Sequence, residues 1–233
     1  MSTMRVADYI ANFVYDLGVH DVFMLTGAGI MHLTDGVACH GKLRAICVHH
    51  EQTASMALEA YARTSQNFGV GYFTTGPGAT NAITGLAGAW QDSVPCLFIS
   101  GQSKRSEASF NAGIQGLRQF GVQELNVIPI VESICKSAVV LNDPEMVRYE
   151  LEKAVYTAKS GRPGPVWLDV PMDVQAARVD TSKLKGFDVP TQRYPVKPDQ
   201  GGGFRPLKED KGPSPVFSLP PGNPRSRGVR ART

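Results

Sequence analysis

The chain has 233 residues, with 24 Lys and Arg against 21 Asp and Glu and an apolar content of 42%, so it can bury the core of one large or two small domains. No apolar run approaches the roughly 20 residues of a membrane span, and the N-terminal stretch lacks the hydrophobic segment of a signal peptide. We therefore expect a cytoplasmic protein with no membrane partner.

The charge is unevenly distributed along the chain. Residues 201–233 contain seven basic and two acidic residues, a surplus of five, which leaves about −2 for residues 1–200. The four cysteines are scattered without C-x-x-C spacing, and three lie in apolar segments, a pattern typical of reduced, mostly buried thiols. Because His20, His40 and His49 also lack metal-ligand spacing, no metal site is expected within the chain.

Apolar periodicity predicts helices and strands in alternation over residues 5–170. The predicted helices are Arg5–Leu17, Ile30–Val37, Glu51–Ser65, Thr80–Trp90, Val127–Ile134 and Pro144–Ser160. The predicted strands, each a nearly continuous apolar run, are Val19–Leu25, Leu43–Val48, Gly69–Thr75, Pro95–Ser100, Lys136–Leu141 and Val166–Val170.

Buried strands alternating with helices predict an α/β fold, a doubly wound (flavodoxin-like) six-stranded parallel sheet with helices on both faces. We assign residues 1–180 to this domain. Small residues in the helix Thr80–Trp90 would let that helix lie close to the sheet. Residues 102–126 lack a clear period, and a loop of this length in a compact domain is usually functional or mobile.

Residues 181–233 are predicted to form a linker and a disordered tail. Residues 201–233 hold six Gly, six Pro and almost no apolar periodicity, so they cannot bury enough surface to fold. Two explanations stand side by side, a native disordered tail and a product of truncation or a shifted reading frame. The two Phe residues of the tail are widely spaced and offer no reading surface, so no nucleic-acid partner is expected.

Glu51 stands where a predicted buried strand turns into a helix. It follows the strand Leu43–Val48 and the pair His49-His50, and it opens the next helix. Open α/β sheets bind their ligands at this carboxyl edge of the strands. A carboxylate in the first turn also complements the helix dipole, by about 0.3–1 kcal/mol. For this motif alone, both a binding and a structural interpretation stay open.

Two glycine turns follow other strands at the same edge, Gly27-Ala28-Gly29 and Gly76-Pro77-Gly78. Glycine permits unusual backbone angles and the close approach of a flat ligand. Neither turn is the G-x-G-x-x-G dinucleotide fingerprint, and the chain has no G-x-x-x-x-G-K-[ST] phosphate loop. Each turn alone is also consistent with a plain tight turn. Together with Glu51, the two turns indicate a ligand-binding edge.

Taken together, these motifs resemble the N-terminal pyrimidine-binding (PYR) domain of thiamine-diphosphate-dependent enzymes, most closely the acetolactate synthase large-subunit group. The resemblance runs from residue 5 to about residue 178 in the family's order and spacing. The segments that carry it are Val22-Phe23, Gly27-Ala28-Gly29, His50-Glu51-Gln52, Gly76-Pro77-Gly78-Ala79-Thr80-Asn81, Asp92-Ser93-Val94-Pro95, Gly101-Gln102, Gln123-Glu124 and Gly161-Arg162-Pro163-Gly164-Pro165-Val166.

The resemblance implies that Glu51 hydrogen-bonds the ring nitrogen of the aminopyrimidine opposite the thiazolium. That bond would favour the imino tautomer, whose nitrogen takes the C2 proton, while the cofactor carries the rest of the chemistry. It also implies cofactor contacts from further residues. These are Thr26, Gly27, Ala28 and Gly29 around the pyrimidine and substrate pocket, Pro77, Gly78 and Asn81 along the ring, and Gln123 near the reacting centre.

Two departures from the family pattern bear on the substrate. Thr26 stands where many members have Pro, and Leu25 replaces an aromatic residue. These departures favour the branch that acts on sugar-related or other keto substrates over the branched-chain amino-acid enzyme.

In this family a second domain holds the diphosphate and its Mg²⁺ through a Gly-Asp-Gly motif and a later Asn pair. Neither motif occurs in this chain, and the central domain that carries FAD in some members is also missing, so the use of FAD stays open. We therefore expect a chain that supplies the pyrimidine half of a site and is inactive alone. A homodimer, or association with a chain that carries the diphosphate-binding domain, would complete the site.

Three functions remain as alternatives. The first is a truncated or frameshifted acetolactate-synthase-like transferase or lyase that decarboxylates a 2-keto acid such as pyruvate and transfers the acyl carbanion. The second is a natural PYR-type α subunit of a two-chain 2-keto acid decarboxylase. The third is a non-catalytic interaction partner of a full-length relative.

Overall fold

A parallel sheet forms the centre of the protein, whose computed structural model describes residues 3–190. In chain order the strands are β1 (Thr3–Arg5), β2 (Asp21–Met24), β3 (Arg44–Cys47), β4 (Gly69–Phe73), β5 (Cys96–Gln102), β6 (Ala138–Val140), β7 (Val166–Pro171) and β8 (Arg178–Asp180). Strands β2 to β7 form the sheet in the spatial order β3-β2-β4-β5-β7-β6. All six predicted strands are therefore confirmed.

Helices cover both faces of this sheet. They are α1 (Val6–Asp16), α2 (Met31–His40), α3 (Glu51–Ser65), α4 (Pro77–Asn81), α5 (Ile83–Gln91), α6 (Ile128–Val131), α7 (Val147–Lys159) and α8 (Met172–Ala176). Buried residues of α1, α2, α7 and α8 belong to the core on one face, and those of α3, α5 and α6 to the core on the other. The predicted doubly wound α/β fold is confirmed.

The order of the strands reverses between β2 and β4. The chain leaves β2 for β3 on one side, then crosses to place β4 on the other side of β2. Ligands of open α/β sheets bind outside the carboxyl ends of the strands at such a switch point. The two glycine turns follow β2 and β4, so they lie on either side of this point.

Alternation along the strands divides the core between the two faces. On β5, Leu97 belongs to the α1 side and Phe98 to the α3 side. On the α3 side Phe98 stacks between Phe73 of β4 and Trp167 of β7, with ring centroids 5.5 and 5.4 Å away. Stacked aromatic pairs add to their area burial, so this stack ties three adjacent strands together beneath the ligand-facing edge.

The prediction that β3 is a buried strand is wrong. All four of its residues are exposed, because β3 is an edge strand that pairs only with β2. Cys47, at the end of this edge strand, is exposed. Cys39 on α2 is also exposed, while Cys96 and Cys135 are buried. Half of the thiols are therefore buried rather than most of them, and all four are free.

Three short elements had no signal in the sequence. Strands β1 and β8 pair antiparallel, with Thr3 opposite Asp180, apart from the main sheet. Helix α8 has five residues and follows β7 directly. Elements of three to five residues are too short to display a period of 2 or 3.6.

Residues up to Pro190 form one compact unit. Among residues 3–190 no helix is long and apolar enough to cross a membrane. The predicted tail, residues 201–233, and the part of the linker from residue 191 onwards lie outside the described residues.

The small residues of α5 serve two contacts. Ala89, and Ala82 just before α5, belong to the core against the sheet, as predicted for the segment Thr80–Trp90. Gly85 instead faces α3, since a Cβ placed on it would lie 2.6 Å from the backbone carbonyl carbon of Ser55. A Cβ on Gly88 would meet nothing within 4 Å. The close approach of α5 to α3 therefore depends on Gly85.

We predict that Gly85→Ala lowers the free energy of unfolding by about 1–3 kcal/mol, because the added methyl group overlaps the backbone of α3. The matched Gly88→Ala variant should instead raise it by up to about 1 kcal/mol, since alanine favours the helix and meets no neighbour. Urea unfolding followed by circular dichroism measures both. Equal effects of the two substitutions would contradict the close helix contact.

Candidate functional site

Glu51 is the first residue of α3, and its side chain turns inward. The Nδ1 atom of His50 accepts a hydrogen bond of 3.1 Å from the backbone N–H of Gln52, so His50 caps the helix. Glu51 is only 6% exposed. A carboxylate that merely complemented the helix dipole would gain nothing from burial, which costs free energy unless a partner compensates. The burial of Glu51 therefore favours the ligand-binding interpretation.

Asn81 holds one oxygen of this carboxylate and leaves the other open. The Nδ2 group of Asn81, at the end of α4, donates to Glu51 Oε2 at 3.0 Å. Within the described part of the chain, Oε1 receives no hydrogen bond and no cation. Because an ionised carboxylate can accept several hydrogen bonds, Oε1 is the atom that a ligand can engage.

Thr74 lies between the two glycine turns. A Cβ on Gly78 would lie 2.5 Å from Thr74 Cγ2 and 3.1 Å from Glu51 Oε1, and a Cβ on Gly27 would lie 2.4 Å from Thr74 Oγ1. Glycine is required at both positions by this close approach. The backbone of Gly27 is extended, with φ −170°, so the unusual angle expected for this turn does not occur at Gly27.

Gly29 is held by hydrogen bonds to Thr74, just after β4, and to Gln175 of α8. Its N–H donates to Thr74 Oγ1 at 3.2 Å, and its carbonyl accepts from Gln175 Nε2 at 2.7 Å. Beside it, the buried Oγ1 of Thr75 has no hydrogen-bond partner among residues 3–190. Because buried polar atoms are nearly always paired, Thr75 Oγ1 is a candidate contact for a bound group.

Gln123 reaches the site through its backbone. Its φ is +57°, and its carbonyl oxygen lies 2.1 Å from the position that a Cβ on Gly76 would occupy. Gly76 itself has φ +62°, a backbone conformation that residues other than glycine rarely adopt. The side chain of Gln123 is exposed. The residue therefore braces the second glycine turn and presents its side chain to solvent.

The other predicted residues lie at the rim of this edge. Thr26 and Ala28 are exposed in the turn after β2, and Pro77 is exposed at the start of α4. The structure thus brings Glu51 together with Asn81 and Gly78, and Thr74 connects Gly78 to the Gly27–Gly29 turn. Within the described part of the chain, none of these rim residues forms a hydrogen bond with Glu51.

Three residues of this edge were missed from the sequence. Thr74 and Thr75 are adjacent hydroxyl residues directly before a glycine turn at the end of a strand, a signal that could have found them. Gln175 carried no such signal, because its contact with Gly29 joins residues 146 positions apart.

A buried polar network lies behind the site on β5 and β7. Ser100 Oγ accepts from Trp167 Nε1 at 2.8 Å and donates to Asp169 Oδ1 at 2.5 Å. Gln102 Nε2 donates both to Asp169 Oδ2 at 3.1 Å and to the carbonyl of Leu125 at 2.8 Å. Burial raises the pKa of Asp169 to about 7, although the bonds from Ser100 and Gln102 oppose that rise. The network links the sheet to the loop that carries Gln123.

The open oxygen of Glu51 is a candidate acceptor for a hydrogen-bond donor of a ligand. Glu51 Oε1 can share a proton with a weakly basic group, and glycine at position 78 keeps a side chain away from that oxygen. Over residues 3–190, no group of three or more His, Cys, Asp or Glu side chains could hold a metal ion.

Comparison with known proteins points to one family. Residues 4–130 match the family model described as thiamine pyrophosphate enzyme, N-terminal TPP binding domain. The acetolactate synthase large subunit of Buchnera aphidicola subsp. Acyrthosiphon pisum is 34% identical over 174 residues, which cover 75% of this chain and 29% of the relative. The chloroplastic acetolactate synthase of Arabidopsis thaliana is 36% identical over 169 residues, or 72% of this chain and 24% of the relative.

A relative with a different name is equally similar. The glyoxylate carboligase of Escherichia coli O157:H7 is 34% identical over 181 residues, which cover 77% of this chain and 29% of the relative. The chain therefore spans less than a third of the length of these curated relatives. The matches confirm the resemblance that the sequence motifs predicted.

We predict that Asp169 makes the stability of the fold depend on pH. Its pKa is about 7 in the folded protein against an ordinary 3.8, so the folded state keeps a proton that the unfolded chain has released. The free energy of unfolding should therefore fall as the pH rises between these two values, by at most about 1.4 kcal/mol per pH unit. Asp169→Asn should remove this contribution.

Urea unfolding of both proteins at a series of pH values from about 4.5 to about 8 measures the effect. The difference in slope is the readout, because the substitution also changes the absolute stability through its bond to Gln102. Identical pH slopes in the wild type and in Asp169→Asn would contradict the raised pKa.

Proposed function

The chain belongs to the thiamine pyrophosphate enzyme family, whose N-terminal TPP-binding domain it matches, and from this premise we propose that its switch-point edge binds the aminopyrimidine ring of thiamine diphosphate. In this proposal Glu51 Oε1 bonds the ring nitrogen opposite the thiazolium. The turns Gly27–Gly29 and Gly76–Gly78 flank the ring on either side of the switch point.

The divided carboxylate of Glu51 carries the proposal. A buried carboxylate with both oxygens satisfied by protein donors would have a structural role only. Asn81 binds Oε2, whereas Oε1 has no protein donor among the described residues and lies beside a glycine. This asymmetry leaves one acceptor pointed at the ligand edge, where a ring nitrogen can share its proton.

Each residue of the site then has a defined task. Glu51 holds a proton between Oε1 and the ring nitrogen, and the hydrogen bond from Asn81 fixes the orientation of its carboxylate. Gly78 keeps the space beside Oε1 clear of a side chain. When bound, thiamine diphosphate supplies the carbon nucleophile that adds to a keto group.

We propose a 2-keto acid such as pyruvate as the substrate, which the complete enzyme decarboxylates before it transfers the acyl unit to an acceptor. The names of the relatives support this class, because glyoxylate is itself a 2-oxo acid and acetolactate is the product of joining two pyruvate units with loss of carbon dioxide. Acceptor binding would then involve the rim residues Thr26, Ala28 and Pro77 and the exposed side chain of Gln123.

The cofactor's diphosphate and its Mg²⁺ need a second set of residues. We propose that they are held by a further domain, in a homodimer or in a partner chain, so that the site forms between two domains. Mg²⁺ is usually bound by a few protein oxygens together with substrate phosphates. The much greater length of the relatives, of which this chain spans 29% or less, supports a contribution from outside it.

The proposal predicts that the free aminopyrimidine base, the cofactor's ring without the thiazolium and phosphates, binds to the full 233-residue chain. Titration followed by NMR should shift the amide resonances of Glu51, Gly78 and Asn81. Glu51→Gln should weaken binding about tenfold or more, because glutamine cannot take the shared proton and a charge-assisted bond is lost.

Glu59→Gln is the matched control, since Glu59 lies on the same helix and its carboxylate pairs with Arg63. This variant should bind the base like the wild type. Equal affinity of the Glu51→Gln variant and the wild type, or shifts confined to residues away from the glycine turns, would overturn the proposed role of Glu51.

A further inference from the structure

Glu124 is a buried carboxylate that the proposed function leaves without a task. It follows Gln123 in the loop of residues 103–127, which connects β5 with α6, and it is 6% exposed. Its oxygens accept four hydrogen bonds from two separate stretches of this loop. The donors are the N–H of Ser109 at 2.7 Å, the hydroxyl of Ser109, the N–H of Phe120 at 2.8 Å and the N–H of Gly121 at 3.1 Å.

These bonds make Glu124 the residue that closes the loop on itself. Burial works to raise the pKa of Glu124, but the hydrogen bonds from Ser109, Phe120 and Gly121 outweigh burial and lower it. The group therefore remains a carboxylate at neutral pH, and ionised acceptors form stronger hydrogen bonds than neutral ones. No Lys or Arg pairs with it in the described part of the chain. In that part of the chain, the negative charge of Glu124 is therefore stabilised only by hydrogen bonds from the loop.

The charged neighbours on the loop are occupied elsewhere or exposed. Arg105 binds Asp173 at 2.7 Å, and Lys104 lies 3.4 Å from Glu107. Arg118 is exposed. These ion pairs attach the start of the loop to α8 and to itself, so they do not compete for Glu124.

The residue next to Glu124 touches the second glycine turn. The carbonyl oxygen of Gln123 occupies the space that a side chain on Gly76 would fill, 2.1 Å from the Cβ position. Both residues have positive φ, +57° for Gln123 and +62° for Gly76. The contact is therefore a backbone-to-backbone fit that tolerates little displacement of either segment.

Gly76 leads directly into the helix that positions Glu51. The carbonyl of Gly76 accepts from the N–H of Thr80 at 3.0 Å, and the next residue, Asn81, donates to Glu51 Oε2. A continuous series of contacts thus runs from Glu124 through Gln123, Gly76 and α4 to Asn81.

We propose that Glu124 is a positioning residue: by folding the 103–127 loop, it seats the Gln123 carbonyl against Gly76 and so fixes the α4 turn that orients Asn81 and Glu51. This proposal rests on the proposed function only in what the orientation of Asn81 and Glu51 is for, namely binding the cofactor. The positioning itself concerns contacts within this chain.

Hydrogen exchange of the full chain tests the proposal without any cofactor. In Glu124→Gln, an NH₂ group replaces one of the two oxygens that accept hydrogen bonds from the loop. Because this NH₂ group would face N–H donors, those hydrogen bonds are lost and the loop should open. Exchange in residues 109–121 should become about tenfold faster or more. Amide exchange in residues 76–82 should become faster as well, and the NMR resonances of the Asn81 side-chain amide should shift. Helix α7 should be unchanged.

Two further variants make the result specific. Glu107→Gln removes a carboxylate from the same loop that bonds only Lys104 in the described residues, so it should leave residues 76–82 and Asn81 unaffected. Ser109→Ala removes one donor and keeps the three backbone donors, so it should cause a smaller acceleration in the same two segments. This milder variant decides the question if Glu124→Gln does not fold.

Faster exchange confined to residues 109–121, with residues 76–82 and the Asn81 resonances unchanged, would overturn the proposal, because Glu124 would then serve its own loop alone. No change in either segment would also overturn it. Since neither readout involves the aminopyrimidine base, this result and the binding result for Glu51 can fail independently.

Discussion

The hydrogen bond from Asn81 to Glu51 is the interaction on which the rest of the site depends. It satisfies Oε2 of a buried carboxylate and leaves Oε1 open at the carboxyl edge of the sheet. Without it, the carboxylate would be free to rotate and to present either oxygen, and its burial would lack compensation. The bond joins α3 to α4, two helices that follow different strands on either side of the switch point. The topology of the sheet therefore determines that the two residues meet.

Close backbone approach is the second constraint, and it explains where glycine occurs. The turns after β2 and β4 meet around Thr74, so Gly27 and Gly78 have no room for a side chain. Gly76 is different, because it combines a positive φ with contact against the Gln123 carbonyl. A larger residue at any of these positions would push apart segments that pack closely against each other. Glycine occurs at these positions because the turns pack closely together, and not because the turns are flexible.

Much of the fold was predictable from the sequence, because parallel strands covered on both faces are continuous apolar runs. The same logic failed for β3, since apolar composition does not report whether a strand lies at the edge of the sheet. Glu51 and the two glycine turns were predictable because each of them closely follows a strand that the sequence predicts. The contacts of Gln175 with Gly29 and of Gln123 with Gly76 were not, because they join parts of the chain that are distant in sequence. Glu124 likewise stood in a recognised motif, but its four bonds depend on how the loop folds.

The proposed function requires that Glu51 Oε1 share a proton with a ring nitrogen of the cofactor's pyrimidine. The most direct measurement is nitrogen NMR of the isotopically labelled aminopyrimidine base bound to the full chain. We expect the resonance of one ring nitrogen to move toward the position of a protonated nitrogen on binding, while the resonance of the other ring nitrogen changes little. If both ring nitrogens keep the chemical shifts of the free base in the bound state, Glu51 does not share a proton with the ring.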